Sequence, residues 1–147
     1  MLTQFKCKMC GGVLQVEENK STVQCEFCST VQTIPKIDNE KLLNLHNRAN
    51  TLRLRNEFDK ALMTYESIIN ENSLDAEAHW GILLCRYGIE YVDDPKTGKK
   101  IPTCHRTQYK SIFDDVDYQA AIENSDVIAK KMYQDEAEII NRIQIIN

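Results

Sequence analysis

The chain carries Cys7-Lys8-Met9-Cys10 and, after fourteen intervening residues, Cys25-Glu26-Phe27-Cys28. Two residues between cysteines let one tight turn aim both sulfurs at a single point. Two such turns supply the four thiolates that close a tetrahedral shell around a divalent zinc ion. A segment this small buries too little apolar surface to fold unaided, so the metal would supply folding energy directly. Structural Zn2+ is therefore the expected cofactor, with Cys7, Cys10, Cys25 and Cys28 as its ligands. Iron accepts the same four-thiolate set, but the short connection between the pairs favours zinc. A closed shell leaves no position for water or substrate, so catalysis at the metal is not expected.

The sequence around the pairs fits two facing turns on a small antiparallel sheet. Gly11 and Gly12 give the first turn a permissive backbone just after its second ligand. The second turn has Ser29 and Thr30 there and must manage with residues that carry a Cβ. Between the pairs, Val13 to Val16, the polar "EENKS" and Thr22 to Gln24 read as strand, turn, strand, and "TVQTI" adds a third strand before Pro35. Residues 1–37 are thus expected to form a zinc ribbon.

Six cysteines also admit a disulfide framework, but four fall in CxxC pairs and the first residues lack a secretory signal, so the metal reading outranks it. With no apolar run long enough to span a bilayer, the expectation is a cytoplasmic protein with no membrane partner. A net charge of −4 with intermixed signs argues against a general nucleic-acid binder.

From residue 38 to 147 the apolar period becomes helical. Asp38 is placed to cap a helix bearing Leu42, Leu45, Ala49 and Leu52 on one face, and a second helix carries Phe58, Ala61, Leu62, Tyr65, Ile68 and Ile69. The turn "RNEF" makes them an antiparallel hairpin. A second unit opens at Asp75 with Trp80, Leu83, Leu84 and Tyr87, and an insertion at about 91–104 reads as a β-hairpin turning at Pro95 to Gly98. Its basic arm, Lys96, Lys99, Lys100, Arg106 and Lys110, is flanked by Asp93, Asp94, Asp114 and Asp115. Apolar positions from Tyr118 through Ile128, Met132, Ile139 and Ile143 read as one long final helix, which either continues into a further segment or pairs with another copy. Cys104 and His105 are adjacent and lack further ligands nearby, so they read as a loop anchor; Cys85 reads as core, and His46 and His79 as helix surface or packing.

The stretch "NEFDKALMTYESIINENSLDAEAHW" resembles the second helix of a tetratricopeptide repeat running into the next repeat, with Ala61, Tyr65 and Ile68 at the repeat's spacing and Ser73 where its proline usually stands. With "CKMCGG", "CEFC", "LLCRYGIEYVDDPKTGKKIPTCHRTQY" and "SIFDDVDYQAAI", the whole chain is similar to the N-terminal region of bacterial proteins that carry a zinc ribbon and a repeat-like helical segment ahead of a Toll/interleukin receptor (TIR) domain. The fold expected is α+β: a β zinc ribbon over 1–37, then a tetratricopeptide-like helical domain over 38–147 with the hairpin insertion. The resemblance implies a non-catalytic interaction or scaffold module serving the regulation or assembly of an NAD-cleaving, defence-type TIR protein. Its partner would be another protein or its own C-terminal TIR domain, with homo-oligomerisation through the last helix. The alternative is a nucleic-acid-sensing ribbon module. An enzyme using Cys104 as nucleophile and His105 as base ranks third.

Overall fold

The computed structural model describes residues 3–17, 19–36 and 39–146. Its architecture is α+β, with two β-hairpins first, then helices interrupted by a third hairpin. β1 (Thr3–Lys6) pairs antiparallel with β2 (Val13–Val16), placing Phe5 opposite Leu14. β3 (Thr22–Gln24) pairs with β4 (Val31–Thr33), placing Val23 opposite Gln32. The sequence suggested a strand–turn–strand unit across "EENKS". Instead β2 and β3 each find a ladder partner on the other side, and each CxxC turn forms the tip of its own hairpin. The strand missed was β1, where Phe5 is buried between exposed Gln4 and Lys6 in a run too short to read as alternation.

α1 (Glu40–Leu54) is capped by Asn39, whose side chain accepts from the Leu42 amide at 2.9 Å; the expected cap, Asp38, lies outside the described residues. α2 (Phe58–Glu71) follows a short connection in which Asn56 takes φ +61°, and it packs back on α1. α3 (Ala76–Arg86) starts where expected, with the Asp75 carboxylate accepting from the Ala78 amide at 2.9 Å.

α3 divides the molecule. Ala78, Ile82 and Cys85 join Leu42, Ala49, Phe58, Ala61, Tyr65 and Ile68 in one buried cluster. Trp80, Leu83, Leu84 and Tyr87 join a second cluster that also contains Phe5, Leu14, Val16 and Ile34 from the cysteine-bearing hairpins. Those hairpins therefore bury their apolar face against the helices. Gly81 permits the α2–α3 crossing: a Cβ there would lie 2.5 Å from the Tyr65 ring.

β5 (Ile89–Asp93) and β6 (Lys100–Cys104) form the third hairpin, with Tyr91 opposite Pro102 and a turn in which Gly98 takes φ +71°. It begins two residues before the boundary expected from sequence. A short 3-10 helix (Ile112–Asp114) leads to α4 (Val116–Glu123), capped by Asp115.

The single long final helix expected from the apolar stripe is in fact two, α4 and α5 (Val127–Ile146). "NSD" interrupts it. Asn124 Nδ2 donates back to the Ala120 carbonyl at 2.8 Å, and the Asp126 carboxylate accepts from the Ala129 amide at 2.9 Å, so one helix is closed and the next opened within three residues. The buried stripe of α5 is Ala129, Tyr133, Ala137 and Ile140, whereas Val127, Ile128 and Ile139 are exposed. Among the described residues, no helix is long and apolar enough to cross a membrane.

Candidate metal centre

The two hairpin tips are built alike. In the first, the Cys7 amide donates to the Gly12 carbonyl at 2.7 Å and the Gly11 amide to the Cys7 carbonyl at 3.0 Å; in the second, Cys25 donates to Thr30 and Ser29 to Cys25, each at 2.9 Å. The residue after each second cysteine takes a left-handed backbone, φ +82° at Gly11 and +64° at Ser29. That conformation is free for glycine and strained for serine. The second turn therefore reproduces the first at some local cost, which resolves how "CS" can replace "CG".

All four sulfurs lie within 4.8 Å of one another. Cys7 Sγ is 3.7 Å from Cys28 Sγ, and Cys10 Sγ is 3.6 Å from Cys25 Sγ. A tetrahedral ion with metal–sulfur bonds of about 2.3 Å requires sulfurs about 3.8 Å apart, so the spacing fits a single four-thiolate metal site. All four are free cysteines, and none is joined in a disulfide. Cys7 and Cys25 are fully buried, Cys28 half-buried and Cys10 exposed.

Hydrogen-bond donors converge on the most buried sulfur. Cys7 Sγ accepts from the Met9 amide at 3.3 Å, the Cys10 amide at 3.4 Å and Gln32 Nε2 at 3.0 Å. Burial opposes the Cys7 thiolate, but the Gln32 and backbone donors outweigh it and hold the group at about 7. Partial desolvation of its sulfur, together with the neighbouring Cys25 and Cys7 sulfurs, pushes Cys10 up to about 12. Thr30 Oγ1 lies 3.2 Å from Cys28 Sγ. The exposed Phe27 ring covers Gly12 so closely that a Cβ there would meet it at 2.5 Å, which shields the first turn on its solvent side.

Behind the cysteines is a buried polar cluster that the sequence did not announce. Lys8, between Cys7 and Cys10, turns inward: its Nζ donates to Glu77 Oε1 and to Thr33 Oγ1, both at 2.6 Å. Thr33 Oγ1 donates to Glu77 Oε2 at 2.7 Å, and the Tyr133 hydroxyl donates to the same oxygen. Arg53, fully buried on α1, donates to the Lys8 carbonyl, and the Lys6 amide donates to Asn47 Oδ1 at 2.9 Å. One signal for this existed in β4: Val31 is exposed and Gln32 buried, the inverse of the usual pattern.

Apart from Lys100, which lines a pocket with Lys8, Met9 and Gln32, the other residues singled out in the sequence lie elsewhere. Burial raises the Cys104 thiol, contrary to what a nucleophile at neutral pH requires. His105 Nε2 faces Glu90 Oε1 at 2.8 Å on the exposed side of the third hairpin. Cys85 is core, pushed up to about 12 by burial. His46 is buried with Nε2 2.9 Å from Asp75 Oδ2, and His79 faces Asp117 Oδ1 at 2.8 Å; both carboxylate partners come from distant sequence. In the basic arm, Lys100 pairs with Asp93 at 3.0 Å and Arg106 with Asp59 at 2.9 Å. No family model matches the chain, and no curated protein and no solved structure matches it at a significant level.

Proposed function

We propose that the four cysteines hold one structural zinc ion and that the chain is a non-catalytic interaction or scaffold module. The observation that carries this reading is the closed four-sulfur cluster whose hairpins are buried against the helices. A closed shell offers no open coordination position, so the metal acts by fixing shape. The helical hairpins beyond it, tetratricopeptide-like in their spacing, supply contact surface without chemistry of their own. Metal analysis of the purified protein tests the first part: about one zinc per chain is expected, and Cys25→Ser should bind none.

The finer assignment, to the regulatory or assembly part of a bacterial TIR protein, rests on the sequence resemblance alone. It predicts that NAD+ consumption by the full gene product depends on the intact cysteine cluster. Wild-type consumption by the Cys25→Ser protein would overturn it. Assembly through the last helix is supported by Val127, Ile128 and Ile139, apolar side chains left exposed on α5. Light scattering on the wild type and on Ile128→Glu/Ile139→Glu decides that point, with a larger mass expected only for the wild type.

A further inference from the structure

We propose that Gln32 and Lys8 are positioning residues that tie the metal centre to α5, so that metal affinity and the docking of α5 are one linked equilibrium. The inference rests on the zinc reading above and extends it from a local staple to a device spanning both halves of the molecule.

The connection is continuous and buried. Gln32 lies on the second hairpin, yet its Nε2 donates to Cys7 Sγ of the first at 3.0 Å, while its Oε1 accepts from the Lys8 amide at 3.1 Å. One amide side chain thereby sets both the charge environment of a ligand sulfur and the position of the next residue. From Lys8 the path runs through its ammonium to Thr33 and Glu77, and through Glu77 Oε2 to the Tyr133 hydroxyl. Gln32, Lys8, Thr33, Glu77 and Tyr133 are all buried. Burial first, and then the Glu77 carboxylate, hold Tyr133 well above its ordinary range, which keeps it a donor. A second tie joins the start of α5 to the ribbon, where Ser21 Oγ donates to the capping Asp126 Oδ1 at 3.1 Å.

The chain of contacts has a thermodynamic consequence. If the first turn leaves its metal-bound position, Lys8 leaves with it and Glu77 keeps a buried charge without its cation, a state strongly disfavoured in a low-dielectric interior. Metal binding therefore favours the arrangement in which α5 is held through Tyr133. By reciprocity, loosening the Tyr133 end must weaken the metal by the same factor.

Competition titration of the whole protein with a chromophoric zinc chelator tests this. Gln32→Leu should lower zinc affinity about ten- to a hundredfold, the range for residues that orient metal ligands. Tyr133→Phe, which removes only a hydroxyl, should lower it about fivefold or more. Thr103→Val is the control, since it loses a half-buried hydroxyl bonded to the Glu90 carbonyl in the third hairpin, and its affinity should match the wild type. Hydrogen exchange should show α5 amides opening more than α2 amides when zinc is chelated. Wild-type affinity in Tyr133→Phe, or an equal loss in Thr103→Val, overturns the coupling while leaving the zinc reading intact. A wild type that binds no zinc overturns both.

Discussion

Lys8 and Glu77 face each other at 2.6 Å with side chains only 5% and 7% exposed, an ion pair sealed between the first cysteine turn and α3. Removing one partner of such a pair strands the other, at a cost of about 3–5 kcal/mol. Glu77→Leu should therefore lower unfolding free energy by about that amount in urea denaturation. The double variant Lys8→Met/Glu77→Leu should recover part of the loss, because neither member of the pair is then left buried without the other. A single variant as stable as wild type would mean that the pair contributes little in solution.

Metal removal should be felt throughout the protein. Phe5, Leu14, Val16 and Ile34 of the cysteine-bearing hairpins share a cluster with Trp80, Leu83 and Tyr133. A ribbon that unfolds would uncover that face of α3, where Trp80 is fully buried beside the Tyr133 ring at 5.0 Å. Chelation, or Cys25→Ser, should shift Trp80 fluorescence to the red and lower the melting temperature of the helical signal in a single transition. Two separate transitions, with helical melting unchanged, would show an independently folded ribbon.

What the sequence revealed follows from the range of the interactions. The cysteine spacing, the Asp75 cap and the hairpin turn at Pro95 to Gly98 are local devices, each complete within a few residues, and each stands where the spacing placed it. The long final helix failed as an expectation because apolar period outweighed "NSD", three residues whose side chains turn back on the backbone. The inward Lys8 and Gln32 were illegible for another reason. A lysine between two cysteines of a CxxC pair reads as solvated until the fold brings Glu77 to it across sixty-nine positions.

Gly81→Ala tests the α2–α3 crossing. Its new methyl would fall 2.5 Å from Tyr65 ring atoms, and Tyr65 is fully buried with its hydroxyl on Asn50, so the ring has little room to retreat. The expected cost is about 1–3 kcal/mol, as for other overpacked cores. Metal stoichiometry should stay unchanged, since the clash lies in the cluster that holds no cysteine ligand.

Alkaline pH should weaken the fold through Cys85. Burial raises this thiol from 9.0 to about 12, so the unfolded chain releases its proton first. Over the window from about 9 to 12 the folded state binds more protons than the unfolded state, and stability falls as pH rises. Below 9 both states are protonated and the contribution is flat. Denaturant unfolding of wild type and Cys85→Ala at pH 8 to 11 should show a shallower decline in the variant, although the variant starts less stable because a buried side chain has been cut back. Parallel slopes would mean that Cys85 ionises as readily in the folded protein as in the unfolded chain, which its burial on α3 opposes.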